Sequence, residues 1–189
     1  MWVRTHACGV GNAIHTRGVV PGGVRFYNPG LKPPWTVIMT RYHGRSLRIG
    51  RASEAGRPYL ITTVTRDRYP LFLDWRIGRL LVLQLRAATE QGHVDSLAWV
   101  IMPDHVHWLI VPGTESLHAS VRRVKSRSAR SIRQALGTCG AIWQKGYHDR
   151  AVRRDQDVRA IARYIIANPL RANLVKSIGD YPLWDAIWL

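Results

Sequence analysis

The sequence predicts an α+β fold: an antiparallel sheet with helices on one face, in a ferredoxin-like or RNA-recognition-like sandwich. Three observations predict it. The elements run strand, helix, strand, strand, helix, strand, helix; the central strand pair is joined by a two-residue turn; and the long helical stretches each carry one apolar stripe. With 189 residues, 46% of them hydrophobic, the chain has material for one sizeable core.

Residues 1–38 are rich in Gly and Pro, and Asn28-Pro29-Gly30 and Lys32-Pro33-Pro34-Trp35 interrupt any periodicity. An irregular or disordered leader is expected there, either an upstream reading of the gene ahead of Met39 or an accessory arm. Residues 39–57 form a basic arm in which Arg41, Arg45, Arg48, Arg51 and Arg57 are opposed only by Glu54. Such a segment tracks phosphates or serves as a flexible basic linker. The folded domain is expected over residues 58–189.

Tyr59 to Thr65 is β-branched and reads as the first strand. Asp74 to Glu90 carries Ile77, Leu80, Leu81, Leu85 and Ala88 at helical spacing, with Gly92 as a stop. Ser96 to Met102 and His105 to Val111 are two strands hinged at Pro103-Asp104, where Pro presets the turn and Asp bonds the following backbone. Ser116 caps a second helix to Leu136, with Leu117, Val121, Val124, Ile132 and Leu136 as its buried stripe. Ile142 to Val152 reads as a strand interrupted at Gly146. Asp155 or Asp157 then opens a third helix with Val158, Ile161, Ala162, Ile165 and Ile166 on its apolar face. Asn168-Pro169 interrupts that helix and starts a short one through Val175.

Charge narrows the function. Lys and Arg number 28 against 12 acids, a formal +16, and all but four of the cations are Arg, whose planar fork suits phosphate. A nucleic-acid partner leads, against the reading of a passive basic surface. The second helix carries Arg122, Arg123, Lys125, Arg127, Arg130 and Arg133 with no acid after Glu115, so its cations repel one another unless a polyanion lies alongside. No apolar run approaches a membrane span, and no signal peptide is recognisable, which points to a cytoplasmic place. Cys8 and Cys139 are too few for a disulfide framework and read most simply as two reduced thiols.

His105 and His107 stand two apart in a strand and therefore point to one face, while Val106, Trp108 and Ile110 make the other face apolar. An HxH by itself arises by chance in about one such chain in three. The context of this one argues for a ligand pair short of a full coordination sphere. Tyr164 and Asn168, four apart on the rim of the third helix, would supply an attacking phenol and a hard oxygen ligand suited to Mg²⁺ or Mn²⁺. Packing is the ordinary role of such a tyrosine, and both readings stay open on position alone.

His105-Val106-His107 resembles the HUH motif, and Tyr164-Ile165-Ile166-Ala167-Asn168-Pro169-Leu170-Arg171-Ala172 resembles the tyrosine-helix segment of single-tyrosine HUH transposases, the IS200-like group. Pro103-Asp104, Trp143-Gln144, Tyr147 to Arg150 and Tyr181-Pro182 fit the pattern of its REP-associated tyrosine transposases, over about Arg57 to Trp184. The resemblance implies an HUH nuclease sandwich and an enzyme, a transposase that nicks and transfers single-stranded or hairpin DNA through a 5′-phosphotyrosine at Tyr164. His105 and His107 would hold Mg²⁺ or Mn²⁺, with Asn168 at the third-ligand position. The protein would act at the nucleoid as a monomer or a homodimer. His148 is an alternative ligand or DNA contact, and Trp143 and Tyr147 are base-stacking or packing residues. A catalytically idle nucleic-acid-binding module of the same fold is the alternative.

Overall fold

The computed structural model describes residue 54 and residues 56–153 and 156–188. The leader over 1–38 and most of the basic arm, including Arg41, Arg45 and Arg48, lie outside the described residues. In chain order come β1 (Tyr59–Val64), α1 (Trp75–Glu90), β2 (Val94–Met102), β3 (His105–Pro112), α2 (Leu117–Leu136), β4 (His148–Ala151), α3 (Val158–Ile166), α4 (Asn168–Arg171) and β5 (Trp184–Ala186).

Local chemistry sets the helix ends. The Asp74, Ser116 and Asp157 side chains accept from the backbone N–H groups of Arg76, Ala119 and Arg159 at 2.9, 3.3 and 2.8 Å, satisfying donors that have no partner inside the helix. Gly137 closes α2 at φ 60°, where a β-carbon would be strained.

The strands form one antiparallel sheet in the order β4-β1-β3-β2-β5. The strand bearing the histidines is thus central. Its register is set on both sides, Thr62 and Val100 facing His107, and Val64 and Met102 facing His105.

Alternate residues feed two cores. Ile61, Trp99, Ile101, Val106, Trp108 and Ile110 pack with Leu81 and Leu85 of α1 and Val121 and Ile132 of α2. Ala98, Val100, Met102 and Leu109 pack with Ala162, Ile165 and Ile166 of α3. The antiparallel α+β sandwich is the one expected, but its helices divide between the faces, with α3 opposite α1 and α2. The cause lies in β2, where every residue from Ala98 to Met102 is buried, so the strand needs cover on both sides.

Other differences are local. The strand expected over Ile142–Val152 shortens to His148–Ala151, and Trp143 makes only a single bridge to Thr65. The edge strand β5 was not anticipated; it pairs Trp184 to Ala186 with Val100 to Ala98. The short helix stops at Arg171 instead of Val175, and Asn173 follows at φ 52°. The reading of two reduced thiols includes Cys8, which lies outside the described residues.

Candidate functional site

Alternation along β3 puts His105 and His107 on the face that α3 partly covers, away from Val106 and Trp108. Their Nε2 atoms stand 3.2 Å apart, with the rings edge to face at 81°. Each Nδ1 has its own partner. The Asp104 Oδ1 lies 2.5 Å from Nδ1 of His105, and the Thr62 hydroxyl lies 2.9 Å from Nδ1 of His107.

That outer set of bonds decides what the imidazoles can do. When each Nδ1–H donates outward, both Nε2 lone pairs are left facing the same point, the arrangement of metal-ligating histidines. Two nitrogens each about 2.1 Å from a shared ion stand about 3.0 to 3.4 Å apart, and the observed separation lies in that interval. Burial, with the charges of His105 and Arg171, pushes the His107 pKa down to about 3 against the opposing pull of Asp104. This imidazole therefore stays neutral, as a ligand must be. Among the described residues no third His, Cys, Asp or Glu joins the pair in a metal-binding group.

Asp104 is buried, which raises its pKa, but the hydrogen bonds and charges of His105 and Arg68 outweigh burial and hold the carboxyl below its ordinary value. Its second oxygen accepts from Arg68 Nη1 at 2.8 Å. A carboxylate bound at both oxygens is a fixed acceptor for the His105 ring.

Tyr164 stands on α3, which packs against β2 beside the histidine strand, and its ring is 64% exposed. Arg171 ties this corner together. Its guanidinium lies 3.8 Å over the Tyr164 ring, Nη1 donates to the Tyr164 carbonyl at 2.7 Å, Nη2 donates to Asn168 Oδ1, and its charge reaches His107. Tyr164 and Asn168 are thus brought together by Arg171. The partner shown for the Asn168 amide oxygen is that guanidinium and not either histidine.

The cations of α2 are placed elsewhere. That helix packs on the face under α1, so Arg122, Arg123, Lys125, Arg127, Arg130 and Arg133 lie across the sheet from the histidine pair. Arg123 pairs with Glu115, and Lys125 donates to the Gln144 carbonyl at 2.8 Å and to that of Gly146. Arg122, Arg127 and Arg130 are exposed. Trp143 packs at a tilt of 43° against Phe72 and donates to Ser128 at 3.1 Å, while Tyr147 is buried; both pack. His148 is exposed on the edge strand.

The sequence assigns no site role to Thr62, Arg68 or Arg171, and Asp104 reads there as a turn former within the family pattern. The Thr62 contact needs the β1 to β3 register, across 45 positions of sequence. The signal for Asp104 was its place next to the first histidine.

A family model described as "Transposase IS200 like" matches residues 57–168, more than half of the chain. A REP-associated tyrosine transposase of Escherichia coli is 32% identical over 89 residues, covering 45% of this chain and 50% of that protein. The chain thus spans about half the length of that relative. A Haemophilus influenzae protein provisionally given the same name is 26% identical over 139 residues, covering 67% of this chain and 78% of its own. The solved structure of a REP-associated tyrosine transposase bound to a REP hairpin superposes with a TM-score of 0.58 at 24% identity, over 77% of this chain and 82% of that one. It shares the fold.

Proposed function

The chain belongs to the IS200-like transposase family, and from that premise we propose that it nicks and joins single-stranded DNA at hairpins, with Tyr164 as nucleophile and a Mg²⁺ or Mn²⁺ ion held by His105 and His107. The observation that carries this reading is the convergence of the two Nε2 atoms, each imidazole anchored at Nδ1, beside the helix that presents an exposed tyrosine.

The Tyr164 oxygen attacks the scissile phosphorus, the bond to the departing 3′ oxygen breaks, and a 5′-phosphotyrosine and a free 3′-OH result. The proton lost by the phenol balances the one taken up by the 3′ oxygen. One ester replaces another, so the same step runs backward onto a second strand. A bound divalent ion would draw charge from the phosphate as negative charge accumulates there. The guanidinium of Arg171, already over the phenol ring, would stabilise the negative charge added at the phosphate. Asn168 would be the third ligand through the amide lone pair that Arg171 leaves available.

Hairpin DNA as partner is supported by the solved relative, whose own ligand is a REP hairpin. The basic excess supports a polyanion and a place at the nucleoid, and no described helix is long and apolar enough to cross a membrane. A monomer carries the histidines and the tyrosine in one chain; a homodimer exchanging α3 would use the same residues.

The test is a denaturing gel of the protein with labelled single-stranded hairpin DNA, with Mn²⁺ and with chelator. A metal-dependent adduct that resists denaturation, and is lost in Tyr164→Phe, is the expected result. DNA binding without an adduct across a panel of hairpins would overturn the reading in favour of an idle binding module.

A further inference from the structure

We propose that Arg68 is a positioning residue for His105, acting through the carboxylate of Asp104. The inference rests on the reading of His105 and His107 as metal ligands, and it concerns how one of them is aimed.

The turn from Thr65 to Tyr69 is strained. Asp67 and Arg68 follow one another at φ 53° and 53°, in the left-handed region that side chains other than glycine avoid. Core packing does not account for this, because no residue of Arg66–Arg68 is buried. Arg66 and Asp67 pair with each other in solvent at 3.2 Å. The side chain that the turn directs inward is Arg68, whose Nη1 reaches Asp104 Oδ2 at 2.8 Å.

The turn is also clasped to the hairpin that carries the histidines. The Thr65 backbone N–H and hydroxyl both donate to the Asp104 carbonyl at 2.9 Å, and Phe72 N–H donates to the Pro103 carbonyl at 2.9 Å. Arg66 N–H is held by the Ile142 carbonyl at 2.8 Å. Backbone strain persists where surrounding bonds over-determine it, and here they hold one cation against one carboxylate.

Asp104 has two oxygens and both are used, Oδ1 by the His105 ring and Oδ2 by Arg68. With Oδ2 engaged, the carboxylate cannot rotate about its last bond. Its Oδ1 stays in line with Nδ1–H of His105, the ring proton stays on Nδ1, and the Nε2 lone pair stays aimed at the point it shares with His107. Removing Arg68 frees the carboxylate and lets the other ring tautomer form.

The test measures ring state and Mn²⁺ affinity on the full chain without DNA. In Arg68→Met we expect a ¹⁵N spectrum of the His105 imidazole with a new Nε2–H population and a Kd for Mn²⁺ raised about 10- to 100-fold. Arg68→Lys, which can still donate to the carboxylate, should recover most of that loss. Asp67→Gly, which relieves strain without touching the ion pair, should leave the Kd unchanged. His105→Ala separates the two levels of the argument. If it leaves Mn²⁺ binding intact, the ligand assignment itself falls. If it abolishes binding while Arg68→Met changes neither the tautomer nor the Kd, only the role of Arg68 falls. Loss of DNA affinity alone in Arg68→Met would also overturn the proposal, by making the residue a phosphate contact. A weakening by Asp67→Gly equal to that of Arg68→Met would overturn it too, since the shape of the turn and not the cation would then matter.

Discussion

The two faces of the sheet are drawn from alternate residues of the same strands, yet the chain covers them differently. Under α1 and α2, of 16 and 20 residues, the face is closed by Leu81, Leu85, Val121 and Ile132, with Trp108 packed among them. Under α3, of nine residues, cover reaches Val100, Met102 and Leu109, while the His105 and His107 side chains stay partly exposed. The difference shows how one sheet divides its work. The closed face supplies apolar burial, and the half-covered face leaves two imidazoles partly exposed.

Substitutions on the two faces should therefore fail in different ways. The largest effect belongs to Tyr164→Phe, which removes one exposed oxygen; adduct formation should fall by at least about 10³-fold with the urea midpoint unmoved. Adduct surviving at near the starting rate would transfer the nucleophile to another group. Next is Leu85→Ala on the closed face, where the side chain has no exposure; it should cost about 2–5 kcal/mol in chemical denaturation. Activity per folded molecule should hardly change, and a selective loss of chemistry would mean that the faces are coupled.

Smaller again is joint neutralisation of Arg122, Arg127 and Arg130 to Gln, which lie on the outer surface of α2. If that surface meets single-stranded DNA, the slope of log affinity against log salt should drop by about 2. An unaltered slope in a fluorescence titration would make α2 a structural cover only. The smallest effect is expected for Asp157→Ala, which removes the cap of α3 at a cost of about 1 kcal/mol. Hydrogen exchange should quicken in α3 and leave α1 and α2 protected; uniform quickening would show that the half-covered face is as integral to the fold as the closed one.

Legibility in the sequence follows the same division. The stripes of α1 and α2 and the alternation of β3 are local patterns, and the elements they predict match the structure to within about two residues. The side chosen by α3 was legible in principle, since Leu97 to Met102 is an unbroken apolar run and such runs belong to strands buried on both faces. The edge strand β5 is three residues long and leaves no periodicity to read. Around the histidines, the pair and the tyrosine could be named from spacing and motif. Thr62, Arg68 and Arg171 could not, because their roles depend on strand register, on a left-handed turn and on how α3 meets α4. Arginine being common in this chain, nothing local marks Arg68 out from the rest, and Arg171 falls inside the tyrosine-helix motif without a role of its own there.

The central position of β3 carries one more consequence, which is a matter of error checking. Parity alone decides which of its side chains look toward α3 and which toward α1, so a misalignment of one residue against β1 or β2 would exchange the two sets. Two imidazoles would be forced into the oily interior, and Val106, Trp108 and Ile110 would be turned toward the half-covered face. Wrong alignments are rejected through the misplaced tryptophan and aliphatic side chains, long before any chemistry is attempted. The large apolar residues of β3 thus proofread the placement of its histidines.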